Sequence, residues 1–153
     1  MSNFATIISV IAQVLADDDT LNALVDGQIV PGFRRSMSDQ YLTGANQACV
    51  GVRSLSDNSQ GLPGCYYHGE STHDHLIEIR IITKLTTERQ SDTYAAAIAA
   101  RVESLLKAGI TKTMNGTSYE LPYVGNINFT PLDDDLMNDR IEVQATFRVK
   151  YYG

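Results

Sequence analysis

Residues 140–152 read R-I-E-V-Q-A-T-F-R-V-K-Y-Y, and polar and apolar side chains alternate there at almost every step. Ile141, Val143, Ala145, Phe147, Val149 and Tyr151 fall on one side of an extended chain; Arg140, Glu142, Gln144, Thr146, Arg148 and Lys150 fall on the other. A period of two predicts a strand with one core face and one wet face. At about 3.3 Å per residue the strand spans roughly 40 Å, long for a domain of ordinary size. Such an ending points to a compact assembly block rather than to a catalytic loop.

Two helices accompany it. Phe4, Ile7, Ile8, Ile11, Val14 and Leu15 recur at three- and four-residue spacing, one apolar face of a helix over 3–16. Asp17-Asp18-Asp19 ends that helix and supplies an N-cap for a shorter one, Leu21 to Val25, closed by Gly27. The second long helix runs from Asp92 to Lys107, with Tyr94, Ile98, Val102 and Leu105 as its core stripe. Alanines at 95–97 and 99–100 keep its flanks thin enough for a sheet or a neighbour to approach closely. Asp92 and Lys107 complement the helix dipole, and Gly109 stops it.

The remaining extended pieces are Ile29-Val30 before the turn Pro31-Gly32, Ala48 to Val52 with Gly51 as a possible bulge, and His75 to Lys84. In the last of these, Glu78 and Arg80 alternate with isoleucines and read as a solvent face. Asn115-Gly116 predicts a hairpin between Ile110–Thr113 and Thr117–Tyr123, and Asn126 to Pro131 is a further short strand. Phe33 to Gly44 reads as loop. So does Ser54 to Asp74, about twenty residues rich in Gly, Ser, Asn and Asp, the length at which a loop is functional or disordered. The order predicts a single α+β domain over residues 1–153: a mostly antiparallel sheet with the two amphipathic helices on one face.

Composition narrows the function. The 153 residues suffice for a real core without disulfides or metal, and the two cysteines, Cys49 and Cys65, are too few for a disulfide framework. Cys49 sits in an apolar stretch as a small core residue. A net charge of −6 argues against binding bare nucleic acid through counterion release. The N-terminus carries no basic leader and no apolar run approaches membrane-spanning length, so neither a secreted nor a membrane-inserted protein is expected.

Little chemistry is written in the chain. Cys65, His68, His73 and His75 lie within eleven residues, but C-x2-H-x4-H-x-H matches no zinc knuckle or finger. The acidic runs Asp17–Asp19 and Asp133–Asp135 lack the alternating ligands, central Gly and distant Glu of a calcium loop. No G-x-S-x-G elbow and no phosphate-binding glycine loop is present. No cofactor, metal or catalytic residue is expected.

The segment D-D-T-L-N-A-L-V-D-G-Q-I-V-P-G (Asp18 to Gly32) is similar to a D-x-x-L-x-A-L-V-x-G-R-I-x-P run in phage tail-completion proteins. With the strand H-L-I-E-I-R-I-I-T (His75 to Thr83), the helix Ser91 to Leu106 and the closing D-R-I-E-V-Q-A-T-F-R-V-K-Y-Y (Asp139 to Tyr152), nearly the whole chain resembles the tail terminator proteins of long-tailed bacteriophages. Gln28 stands where that family has a basic residue, and the 54–74 segment is longer than its pattern. The resemblance implies a noncatalytic subunit of a hexameric ring at the tail–neck junction of the virion, assembled in the host cytoplasm. Its partners would be other copies of itself, the tail tube protein and a neck or connector protein. DNA would pass through without specific contact. A ring needs two complementary surfaces on each subunit. Glu142, Gln144, Arg148 and Lys150 on the wet face of the last strand, and Tyr66-Tyr67, are the contact candidates; Asp133, Asp134 and Asp135 are candidates for the lumen, where acidic charge would repel DNA. The competing readings are another neck component (a head-completion or stopper protein) and a small metal-dependent enzyme using Cys65, His68, His73 and His75.

Overall fold

The computed structural model describes residues 4–33, 38–42, 44–61, 71–84, 91–107, 109–114, 117–121, 127–132 and 140–152. Helix α1 (Phe4–Ala16) buries Ile7, Ile8, Ile11 and Leu15 as its spacing requires. Helix α2 (Asp19–Val25) follows at once. The Asp18 carboxylate caps it by accepting the Leu21 N–H at 2.9 Å. Asp26 and Gly27, at φ 54° and 72°, close it in the left-handed region, where Gly27 donates its N–H to the Asn22 carbonyl at 3.0 Å.

A five-stranded sheet carries the domain in the order β1-β2-β3-β7-β6. These strands are β1 (Ile29–Pro31), β2 (Ala48–Gly61), β3 (Ser71–Lys84), β6 (Thr130–Leu132) and β7 (Arg140–Tyr152). All its pairings are antiparallel except β1 with β2. Between them lie one helical turn α3 (Ser38–Tyr41), the long helix α4 (Ser91–Lys107) and a separate two-stranded hairpin, β4 (Ile110–Met114) with β5 (Thr117–Leu121). The fold is α+β, with a mostly antiparallel sheet.

The strand register stacks apolar residues in rows across β2, β3 and β7: Val50–Ile81–Val143, Val52–Ile79–Ala145, then Ile77–Phe147. Ile7, Ile11 and Leu15 of α1 and Ile98, Val102 and Leu106 of α4 belong to the same buried cluster, so both long helices cover this one face. Ile77, Ile79 and Ile81 are fully buried, each contributing about 1.5–3 kcal/mol of transfer free energy.

Three expectations need correction. The 54–74 segment is largely not loop: β2 continues to Gly61 and β3 begins at Ser71, in register from Ser56↔Leu76 to Gly61↔Ser71. Those strand ends are polar at nearly every position, so no apolar alternation announces them. A bulge at Leu55 further breaks the period by shifting the register between Ser54 and Ser56. Gly51 is not that bulge. A Cβ there would lie 2.4 Å from Phe33 Cγ, so glycine is the residue that lets the ring rest on the strand. Finally, 33–44 contains α3, a single turn too short to show a helical period.

Candidate assembly surface

The sheet face away from α1 and α4 divides in two. At one end a small second core forms, with Val30, Phe33 and Leu42 packed over Cys49 and Ile82. Burial, and secondarily the charge of Glu142, pushes the Cys49 thiol up to about 12, so it stays protonated and inert. Next along the face comes a chain of four alternating charges.

Arg53 of β2 and Glu78 of β3 are direct register partners. Arg53 donates from Nε to Glu78 Oε2 at 2.8 Å, and its Nη2 lies 2.7 Å from the same oxygen. Arg80, two residues further along β3, places Nη2 at 2.8 Å from Glu78 Oε1 and Nη1 at 3.6 Å from Glu142 Oε2 on β7. Both carboxylates are buried, Glu78 to 1 % and Glu142 to 2 % exposure, while the guanidinium groups reach toward water. Three strands are therefore laced across one face by ion pairs whose charges cancel.

This corrects the sequence reading of Glu78, Arg80 and Glu142 as side chains on an open wet face. Period-two alternation says which side of the strand a residue takes, not whether that side is covered. Ile82, on the same side as Glu78 and Arg80, is the one signal in the sequence that this face is partly closed. Sequence reasoning misses Arg53 because the apolar run of its strand stops at Val52, whereas the strand itself continues to Gly61.

The other contact candidates separate. Gln144 is half-buried, while Thr146 and Arg148 are exposed on the same face. Lys150 belongs to β7 in register with Asp74, but its side chain lies outside the described residues. Tyr66, Tyr67 and Asp133–Asp135 also lie outside them, as do Cys65 and His68 of the metal reading. His73 and His75 are backbone members of β3. Among the described residues no group of three His, Cys, Asp or Glu could hold a metal ion, and no helix is long and apolar enough to cross a membrane.

On the helical side, Ala95 and Ala99 are buried while Ala96 and Ala100 stay exposed. With Phe129 and Ile141 they line an open groove of about 640 Å³. The acidic run at 17–19 is structural. Besides capping α2, Asp18 accepts from Arg101 of α4, Nε at 2.8 Å and Nη2 at 2.5 Å, which holds its carboxyl below the usual carboxylate value. Asp17 is lowered likewise, first by the hydrogen bond from Lys112 of β4 and then by that from Gln13.

No protein-family model and no curated protein sequence matches the chain. The fold, however, is similar to that of a chain from the virion of a native gene transfer agent particle, with a TM-score of 0.57 and 17 % identity over 100 % of both chains. At that identity the likeness is one of fold.

Proposed function

We propose that this chain is a noncatalytic structural protein of a phage-like virion, and specifically a tail terminator. It would form a ring, a hexamer in our reading, at the head-proximal end of the tail tube. There it would end polymerisation by binding the last tube layer without offering a surface for another, and join the tube to the neck. The observation that carries the proposal is the fold likeness to a virion chain, which extends over 100 % of both chains. The resemblance of Asp18–Gly32 and of the closing strand to tail-completion proteins supports the narrower role. Of the contact candidates, Gln144, Arg148 and Lys150 remain proposed for the ring or tube. Tyr66 and Tyr67 do too, and Asp133, Asp134 and Asp135 are proposed for the lumen.

Electron microscopy of the purified protein, alone and mixed with the tube protein of the same phage, tests it. Rings of tube diameter, and tubes capped at one end that stop growing, are expected. Tubes of unrestricted length with no added density would refute the terminator role and favour another neck position.

A further inference from the structure

Strand β3 is paired along its whole length, by β2 on one side and β7 on the other. The outer strands are not. Strand β1 accompanies β2 only over Val50–Val52, and β6 accompanies β7 only over Glu142–Gln144. Hairpin β4–β5 forms its own sheet, so although β5 approaches β7 it adds no rung to it. Among the described residues, two long strand stretches, Arg53–Gly61 of β2 and Ala145–Tyr152 of β7, therefore border no further strand. Edges of eight or nine residues are templates for pairing with another chain, and isolated proteins blunt them with prolines or cover them. Neither stretch contains a proline.

We propose that these two edges are the two halves of the joint between copies of this chain: β7 of one subunit pairs with β2 of the next. The inference rests on the ring reading above, and three observations select this partner. The edges match in length, so each can satisfy the other. Their compositions differ in charge: the β2 stretch carries one base and one acid, Arg53 and Asp57, whereas the β7 stretch carries Arg148 and Lys150 and no acid. Leu55, at 41 % exposure the one large apolar side chain open to water among the described residues, sits at the bulge of the β2 edge, where a neighbour would cover it.

Symmetry adds a constraint. Both β2 and β7 run antiparallel to β3, hence parallel to each other. In a cyclic assembly with strands inclined to the axis, every copy keeps the same direction, so the new pairing is parallel and head-to-tail, the kind that closes into a ring. Six copies would contribute eighteen strands; at about 4.8 Å per strand and a tilt of about 40° that cylinder is roughly 36 Å across.

Crosslinking of the full chain with a short bismaleimide tests the joint. Within one subunit Leu55 lies within two residues of the height of Thr146, since Arg53 and Thr146 both pair with Glu78. The variants are Leu55→Cys, Thr146→Cys and the pair together, each with Cys65→Ser; buried Cys49 is silent. The double variant is expected to yield a ladder of covalent multimers ending at the ring, and each single variant only monomer. Dimers from either single variant would overturn the joint in favour of self-pairing edges. Rings visible in the microscope without crosslinks in the double variant would overturn the joint and leave the ring reading standing. Monomers throughout, without crosslinks and without caps on added tubes, would overturn both.

Discussion

Replacing Glu78 by Gln keeps the shape of the side chain and removes its charge, which isolates the value of the buried ion chain. In the native protein each carboxylate oxygen faces a different guanidinium: Oε2 takes Arg53 at 2.7–2.8 Å and Oε1 takes Arg80 at 2.8 Å. An amide oxygen can accept from one of them only, and the amide NH₂ must then point at the other. Arg80, 14 % exposed, would be left with Glu142 at 3.6 Å. Breaking a buried pair from one side costs about 3–5 kcal/mol. Arg53, 30 % exposed, can regain water, which places the expectation near the lower bound, about 3 kcal/mol. For a domain of this size that is a fall in Tm of roughly 6–12 °C. In urea, with m of about 2 kcal/mol/M, the midpoint should drop by about 1.5 M at unchanged slope. Circular dichroism reads both, and a cycle with Arg53→Met should show coupling of about 0.5–3 kcal/mol. A midpoint within about 0.2 M of wild type would refute the reasoning, because a group this buried and doubly paired cannot lose its charge unnoticed.

Gly51→Ala should cost about 1–3 kcal/mol by thermal melt, because its Cβ meets the Phe33 ring rather than open space; an unchanged Tm would show that the ring yields freely. In a Cys65→Ser background, Cys49 should stay unlabelled by a thiol reagent in the native protein and react fully in urea, since burial holds it protonated with its pKa at about 12; prompt native labelling would refute its place in the second core. Asp18→Ala should lose about 1 kcal/mol for the cap alone, read by urea unfolding at pH 7. The folded carboxyls of Asp17 and Asp18 titrate below their unfolded value, so their contribution is complete above about pH 4 and is lost as pH falls through the folded values. An Asp17→Asn/Asp18→Asn protein should accordingly show a flatter acid limb, and an identical acid limb would refute the pairing.

What could be read from the sequence follows from where burial is continuous. Helix α1, helix α4 and strand β7 each put an unbroken apolar stripe against one core, and their bounds agree with the pattern to within a residue. The outer halves of β2 and β3 are held by backbone pairing instead, and a run such as S-D-N-S-Q-G leaves no period to find. The ion chain is harder still. Arg53, Glu78 and Glu142 are far apart in sequence and meet only because the register sets Arg53 beside Glu78 and Arg80 diagonal to Glu142. Alternation reports sides, whereas burial on the second side depends on Phe33 and Leu42 arriving from another part of the chain.

The two faces of this sheet thus do different physical work, and the difference bears on assembly. The helix-covered face is apolar and would tolerate strand slippage by two residues, because isoleucine follows isoleucine along β3. The opposite face would not: a two-residue slip of β3 against β2 moves Glu78 away from Arg53 and brings Arg80 or Leu76 in its place, stranding a buried carboxylate. The charge chain therefore fixes the height at which β2 and β7 end relative to each other. A head-to-tail joint made along those strand edges would need that height to be the same in every copy, since a subunit with slipped edges would misplace its neighbour and a ring could not close.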